Sequence, residues 1–156
     1  MNVHHITFRA IVAATESDDR VKTALSLFLF NNETKATLTE GHFGNPIIIL
    51  EGRNRGKDIA RFMEVVKSNL NITELEALKK ERCERIDDEC CFHIRFDKQA
   101  AFGGKVRIAT TSDAIIAKIK LKVYPARREN AIIAAESLFA IKSLPSLSTS
   151  QANTYP

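Results

Sequence analysis

The sequence predicts an α+β fold: a mostly antiparallel sheet with helices packed on one face. Three observations carry this. Apolar and polar residues alternate over 3–13, 92–97 and 117–123, as on half-buried strands. Apolar residues recur at helical spacing over 16–30, 59–70 and 131–138. Short, turn-rich joins separate neighbouring strands, which favours antiparallel pairing. The element order is β-α-β-β-α followed by α-β-β-β-α. At 156 residues the chain can bury a core without metal or disulfide staples. We read residues 1–142 as one domain and the Ser-, Thr- and Pro-rich segment 143–156 as a disordered tail.

The elements follow in order. In the first strand His4, Ile6, Phe8, Ala10 and Val12 share one face, and His5, Thr7 and Arg9 share the other. Thr15-Glu-Ser-Asp18 starts a helix over 16–30, whose inner side is Val21, Ala24, Leu25, Phe28 and Leu29. Asn31-Asn32 ends it. A strand over 34–39 points Ala36 and Leu38 inward, the turn Gly41–Pro46 follows, and Ile47–Leu50 is a short buried strand. Arg53–Lys57 is a basic loop, and Ile59, Phe62, Met63, Val66 and Leu70 mark a second helix. Thr73-Glu-Leu-Glu76 is a capping box for a third helix, 74–86. Phe92, Ile94 and Phe96 alternate with His93, Arg95 and Asp97 in a strand, and Val106 and Ile108 with Lys105 and Arg107 in the next. The last strand is 114–124, and a helix over 126–141 turns Ala131, Ala134, Ala135 and Leu138 inward.

Several function classes recede on composition. No apolar run approaches the ~20 residues that span a bilayer. The first residues lack a signal peptide's pattern, so a cytoplasmic location is expected. Cys83, Cys90 and Cys91 are odd in number and lack metal-ligand spacing, so free thiols and no cofactor are expected. Charge is unevenly placed. Residues 1–90 hold 13 Lys/Arg against 15 Asp/Glu, whereas residues 91–156 hold 10 against 4. Such asymmetry points to an acidic partner such as nucleic acid.

The densest signal is Ala117–Arg128. Lys118, Lys120 and Lys122 alternate with Ala117, Ile119, Leu121 and Val123, so the lysines share the watery face about 6.5–7 Å apart. Arg127 and Arg128 fall in the first turn of the next helix, where the helix dipole disfavours cations unless an anion docks. Arg95, Lys98, Lys105 and Arg107 extend the set if their strands are neighbours. The nearby aromatics Phe102 and Tyr124 are as readily core as surface, which favours backbone and shape recognition over base stacking.

Residues 73–142 run α-β-β-β-α, an order that resembles a double-stranded-RNA-binding domain. That resemblance implies phosphate contacts from the start of the last helix, here Arg127 and Arg128, and a groove-probing loop after the first strand, here Lys98–Gly104. Here two arginines followed by Glu129 stand in place of that family's lysine cluster. A wider resemblance rests on Ala14–Glu16, Gly41–Ile47, Arg85–Glu89, Arg95–Ala101 and Lys118–Lys122, in order along the chain. Together these resemble an archaeal family of small RNA-binding proteins regarded as exosome subunits, with a double-stranded-RNA-binding-domain-like or ribosomal-protein-like fold. The resemblance implies a non-enzymatic protein that binds RNA within an RNA-processing complex.

Other readings compete. The basic half could meet an acidic protein in an assembly instead of RNA. Asp87, Asp88 and Asp97 are the carboxylates that could hold Mg²⁺ for nuclease chemistry. Gly41–Pro46 reads first as a hairpin turn and second as backbone N–H donors for a phosphate; it lacks the Gly-Lys-Ser/Thr of a P-loop.

Overall fold

A computed structural model of the chain describes residues 2–41 and 43–139. The tail 143–156 and the last residues of the expected helix 126–141 lie outside the described residues. The order is β1 (Val3–Val12), α1 (Asp18–Leu29), β2 (Thr34–Glu40), β3 (Pro46–Asn54), α2 (Lys57–Asn69), α3 (Ile72–Lys80), α4 (Arg82–Arg85), β4 (Cys91–Asp97), α5 (Lys98–Phe102), β5 (Ala114–Leu121) and α6 (Arg128–Ala135). The strands form one antiparallel sheet in the order β2-β3-β1-β5-β4. β1, from the start of the chain, therefore lies between β3 and β5.

Alternation sets the layers. Ile6, Phe8, Ala10 and Val12 of β1, Phe92, Ile94 and Phe96 of β4, and Ile115, Ala117, Ile119 and Leu121 of β5 are buried on one face. The helices pack there. Phe8, Phe28, Phe62 and Phe96 interlock with ring centroids 4.6–6.1 Å apart, which joins β1, α1, α2 and β4. Phe92 meets Phe139, beyond α6, at 5.3 Å. Rings this close add offset and edge-to-face attraction to their area burial.

The expected α+β class stands, with local corrections. A bulge between Val3 and His5 shifts the phase of β1, so Val3 is buried and His4 is exposed. β3 is longer than expected and carries Arg53 in register with Thr7, so that residue belongs to the sheet and not to a loop. Ala36 and Leu38 do not face a core: β2 is an edge strand beyond the reach of the helices, and Leu38 is 74% exposed. The capping box of the third helix is Asn71 with Glu74. Asn71 Oδ1 accepts from the Glu74 N–H at 2.8 Å, and Glu74 Oε1 from the Asn71 N–H at 3.0 Å. That helix ends at Lys80 and a separate turn, α4, follows.

The expected strand around Lys105 and Arg107 is reduced to one bridge, Ile108 to Phe96, on the outer edge of β4. Asp97 causes this locally. Its Oδ1 accepts from the Ala100 N–H at 2.8 Å and starts α5, which takes the chain out of the sheet. β5 then pairs with β4 and β1 and not with the segment 105–108.

Candidate nucleic-acid interface

Among the described residues, the second face of the sheet carries no helix. Its rows follow from the register. Arg53, Thr7, Lys118 and His93 lie side by side across β3, β1, β5 and β4. The next row is Lys35, Glu51, Arg9, Ile116 and Arg95 across all five strands. On the other side His5, Lys120 and Cys91 are aligned. At about 4.8 Å between strands, Lys35 and Arg95 stand about 19 Å apart along their row. A depression of about 420 Å³ lies between His5, Arg9, Arg53, His93 and Lys118.

Cations outnumber acids on this face. Glu51 sits between Lys35 and Arg9. Glu89, at the end of the sheet, has its carboxylate 3.5 Å from Lys118 Nζ, and its carbonyl oxygen accepts from Lys120 Nζ. These contacts are exposed and weak enough for a polyanion to displace. Burial, then Arg53, Arg55, His4 and Lys120, hold His5 below its ordinary value of 6.5. His5 is thus neutral at pH 7, in a positive field that a phosphate would relieve.

The sequence-marked cations divide into three groups. Arg95, Lys118 and Lys120 lie on the uncovered face. Arg107 is exposed, and by alternation from the Ile108–Phe96 bridge it points to that same side; Lys105 is exposed in the connection before it. Lys122 and Arg127 are exposed beyond the end of β5. Lys98 is a different case: it is 3% exposed, and its Nζ donates to Ile11 O at 2.7 Å, Glu16 Oε1 at 2.9 Å and Asp113 Oδ1 at 2.7 Å. It staples α5 to β1 and has no reach to a ligand. Arg128 is also committed, donating to the carbonyl oxygens of Ile86 and Cys83. That explains one arginine at the start of α6 without an anion.

Reading the second half for charge overlooked Arg9, Lys35 and Arg53, which come from the first half. Arg9 was visible on the polar phase of β1. What was missing was the pairing of β1 with β5, which puts it on the same surface as the lysines.

The carboxylates do not assemble. Asp87 accepts a 2.7 Å hydrogen bond from His93 Nε2 through Oδ2 and bonds from the Glu89 and Cys91 N–H groups through Oδ1. Asp97 is at the other end of β4, about 20 Å of strand away. Among the described residues no group of three or more His, Cys, Asp or Glu is placed to hold a metal. Burial, followed by Asp87, pushes the Cys91 thiol up, the opposite of an activated nucleophile. Where β2 joins β3, the Gly41 N–H donates to Asn45 O at 2.6 Å and Gly44 takes φ 78°, as in a hairpin turn. Among the described residues no helix is long and apolar enough to cross a membrane.

Fold and surface together define an α+β protein with one packed and one cationic sheet face. A profile of the family described as RNA binding matches residues 5–121, and the chain belongs to that RNA-binding family. The RNA-binding protein PAB1135 of Pyrococcus abyssi is 32% identical over 137 residues, spanning 83% of this chain and 88% of that one. Uncharacterized protein MJ0213 of Methanocaldococcus jannaschii is 34% identical over 141 residues, spanning 83% and 93%. The crystal structure of protein AF2318 from Archaeoglobus fulgidus superposes with a TM-score of 0.79 at 31% identity, covering 87% of this chain and 99% of that one.

Proposed function

We propose that this chain is a non-catalytic RNA-binding protein that holds the phosphate backbone of structured RNA on its uncovered sheet face. The observation that carries the reading is the convergence of Lys35, Arg53, Arg9, Lys118, Lys120 and Arg95 from all five strands on one side. Arg107, Lys105, Lys122 and Arg127 extend it around the rim. Membership in an RNA-binding family and the name of the Pyrococcus relative support RNA as the polyanion. Lysines and arginines in rows read spacing and shape and carry no base code. Such a surface suits an accessory subunit that holds RNA for an RNA-processing complex of exosome type.

The test is a triple charge reversal, Arg9→Glu, Arg53→Glu and Lys118→Glu. Affinity for a hairpin RNA is expected to fall at least tenfold. The slope of log K against log salt should shrink by about 0.7–0.9 for each lost phosphate contact. Arg9, Arg53 and Lys118 are not part of the core, so the thermal midpoint should hold. Unchanged RNA affinity, with an acidic protein partner captured after nuclease treatment, would replace this reading with one of protein assembly.

A further inference from the structure

We infer that the turn joining β5 to α6 carries a stacking seat for an unpaired nucleobase, with Tyr124 as its platform. This rests on the RNA reading above and deepens it: the preferred RNA has a structured part and an unpaired nucleotide beside it.

Tyr124 is 97% exposed. A ring held in water contributes almost nothing to folding, because the area it could bury remains wet. Yet the turn that presents it is tied down. The Lys122 N–H donates to Asn2 O at 2.8 Å and the Arg127 N–H to Pro125 O at 2.8 Å. Asn130 Nδ2 also donates to Pro125 O, at 2.9 Å, and Arg128 anchors the start of α6 to Ile86 and Cys83. An aromatic presented on a fixed turn loses little freedom when a flat ligand lands on it.

Its position selects the ligand. Lys120 is paired with His5, and Leu121 with Val3, at the end of the sheet. Tyr124 follows three residues later, just beyond the end of the strand that carries Lys118 and Lys120. Lys122 and Arg127 flank it in the chain, both exposed and both without an ion pair among the described residues. Two free cations beside an open ring match a nucleotide, phosphate and base together. Stacking accepts any base, because every base has a π-face. Exposed Phe102 does not compete: the Arg20 guanidinium lies over its ring, 4.1 Å from the centroid.

Two RNAs separate the outcomes: a blunt hairpin and the same hairpin with a short single-stranded overhang. Tyr124→Ala is expected to weaken binding of the overhang RNA about fivefold or more, the range for loss of one stacked base, and to leave the blunt hairpin unchanged. Tyr124→Phe should retain the preference, since the ring and not the hydroxyl does the stacking. Direct contact can be read by emission. The chain has two tyrosines and no tryptophan, so a Tyr155→Phe variant reports Tyr124 alone. The overhang RNA should quench that signal and the blunt hairpin should not. Equal loss on both RNAs in Tyr124→Ala, or emission indifferent to the overhang, would overturn the stacking seat while leaving the phosphate reading intact. Failure of the unaltered protein to bind either RNA would overturn both.

Discussion

At Lys98 an ammonium group taken out of water is compensated by three acceptors from three separate segments: Ile11 O, Glu16 and Asp113. Glu16 also accepts from the Ala13 N–H at 2.9 Å, so the same carboxylate fixes the exit from β1. Because Glu16 and Asp113 keep contact with solvent, removing the ammonium does not strand two buried charges. We expect Lys98→Met to lower stability by about 1.5–3 kcal/mol, the range for hydrogen bonds to charged groups. Denaturant unfolding measures the loss, and the salt slope of RNA binding should stay as it was. Asp87 makes a second prediction at this scale. Burial raises its pKa, but the bonds from His93 and from the Cys91 and Glu89 N–H groups outweigh burial and hold it below the ordinary 3.8. A carboxylate depressed on folding contributes stability that is full above its unfolded value and is lost as pH falls through the folded one. Unfolding of the native chain should thus steepen with acid below about pH 4. Asp87→Asn should be less stable at neutral pH and flatter across that acid range, as urea melts at stepped pH would show.

Between elements, the packing of α1 on β3 depends on what is missing at residue 52. A β-carbon at Gly52 would lie 2.4 Å from Leu29 Cδ1 and 3.1 Å from Glu33 O. Leu29 is itself 1% exposed, so it has nowhere to retreat. Gly52→Ala should cost about 1–3 kcal/mol, the usual range for overpacking, with a matching drop in the denaturant midpoint. The contact is reinforced from the same strand. Asn54, fully buried at the end of β3, donates through Nδ2 to Phe28 O at 2.9 Å and accepts from Asn32 at 2.8 Å through Oδ1. It thereby satisfies a carbonyl of the last turn of α1 that has no helical partner. β2 lies outside this packing, and from Lys35 to Glu40 its side chains stay exposed on both sides.

Over the whole molecule, one sheet separates two jobs. Helices and four interlocked phenylalanines hold one face, and the opposite face carries charge that contributes little to stability. Surface cations can therefore be reversed without unfolding the protein, which is why the Arg9, Arg53 and Lys118 variant separates affinity from stability. The periodicities of Phe92–Asp97 and Ala117–Leu121 were legible, because the direction of a side chain on a strand follows from its own backbone. So was the helical face Val21–Leu29. Lys98 was misread because its partners, Glu16 and Asp113, lie 82 and 15 residues away. Thr73 was preferred to Asn71 as a cap because both offer a side-chain oxygen three residues before a glutamate, and only backbone geometry separates them.

By itself the sequence determined the α+β class, most of the apolar core positions and the lysine row of the last long strand. Each depends on local periodicity, which a linear chain displays openly. Only tertiary structure decided that β1 lies against β5, that first-half cations join second-half ones, that Lys98 is interior and that Tyr124 is not. Those outcomes depend on which strand edges meet across long stretches of chain, and that is set by the packing of the whole core.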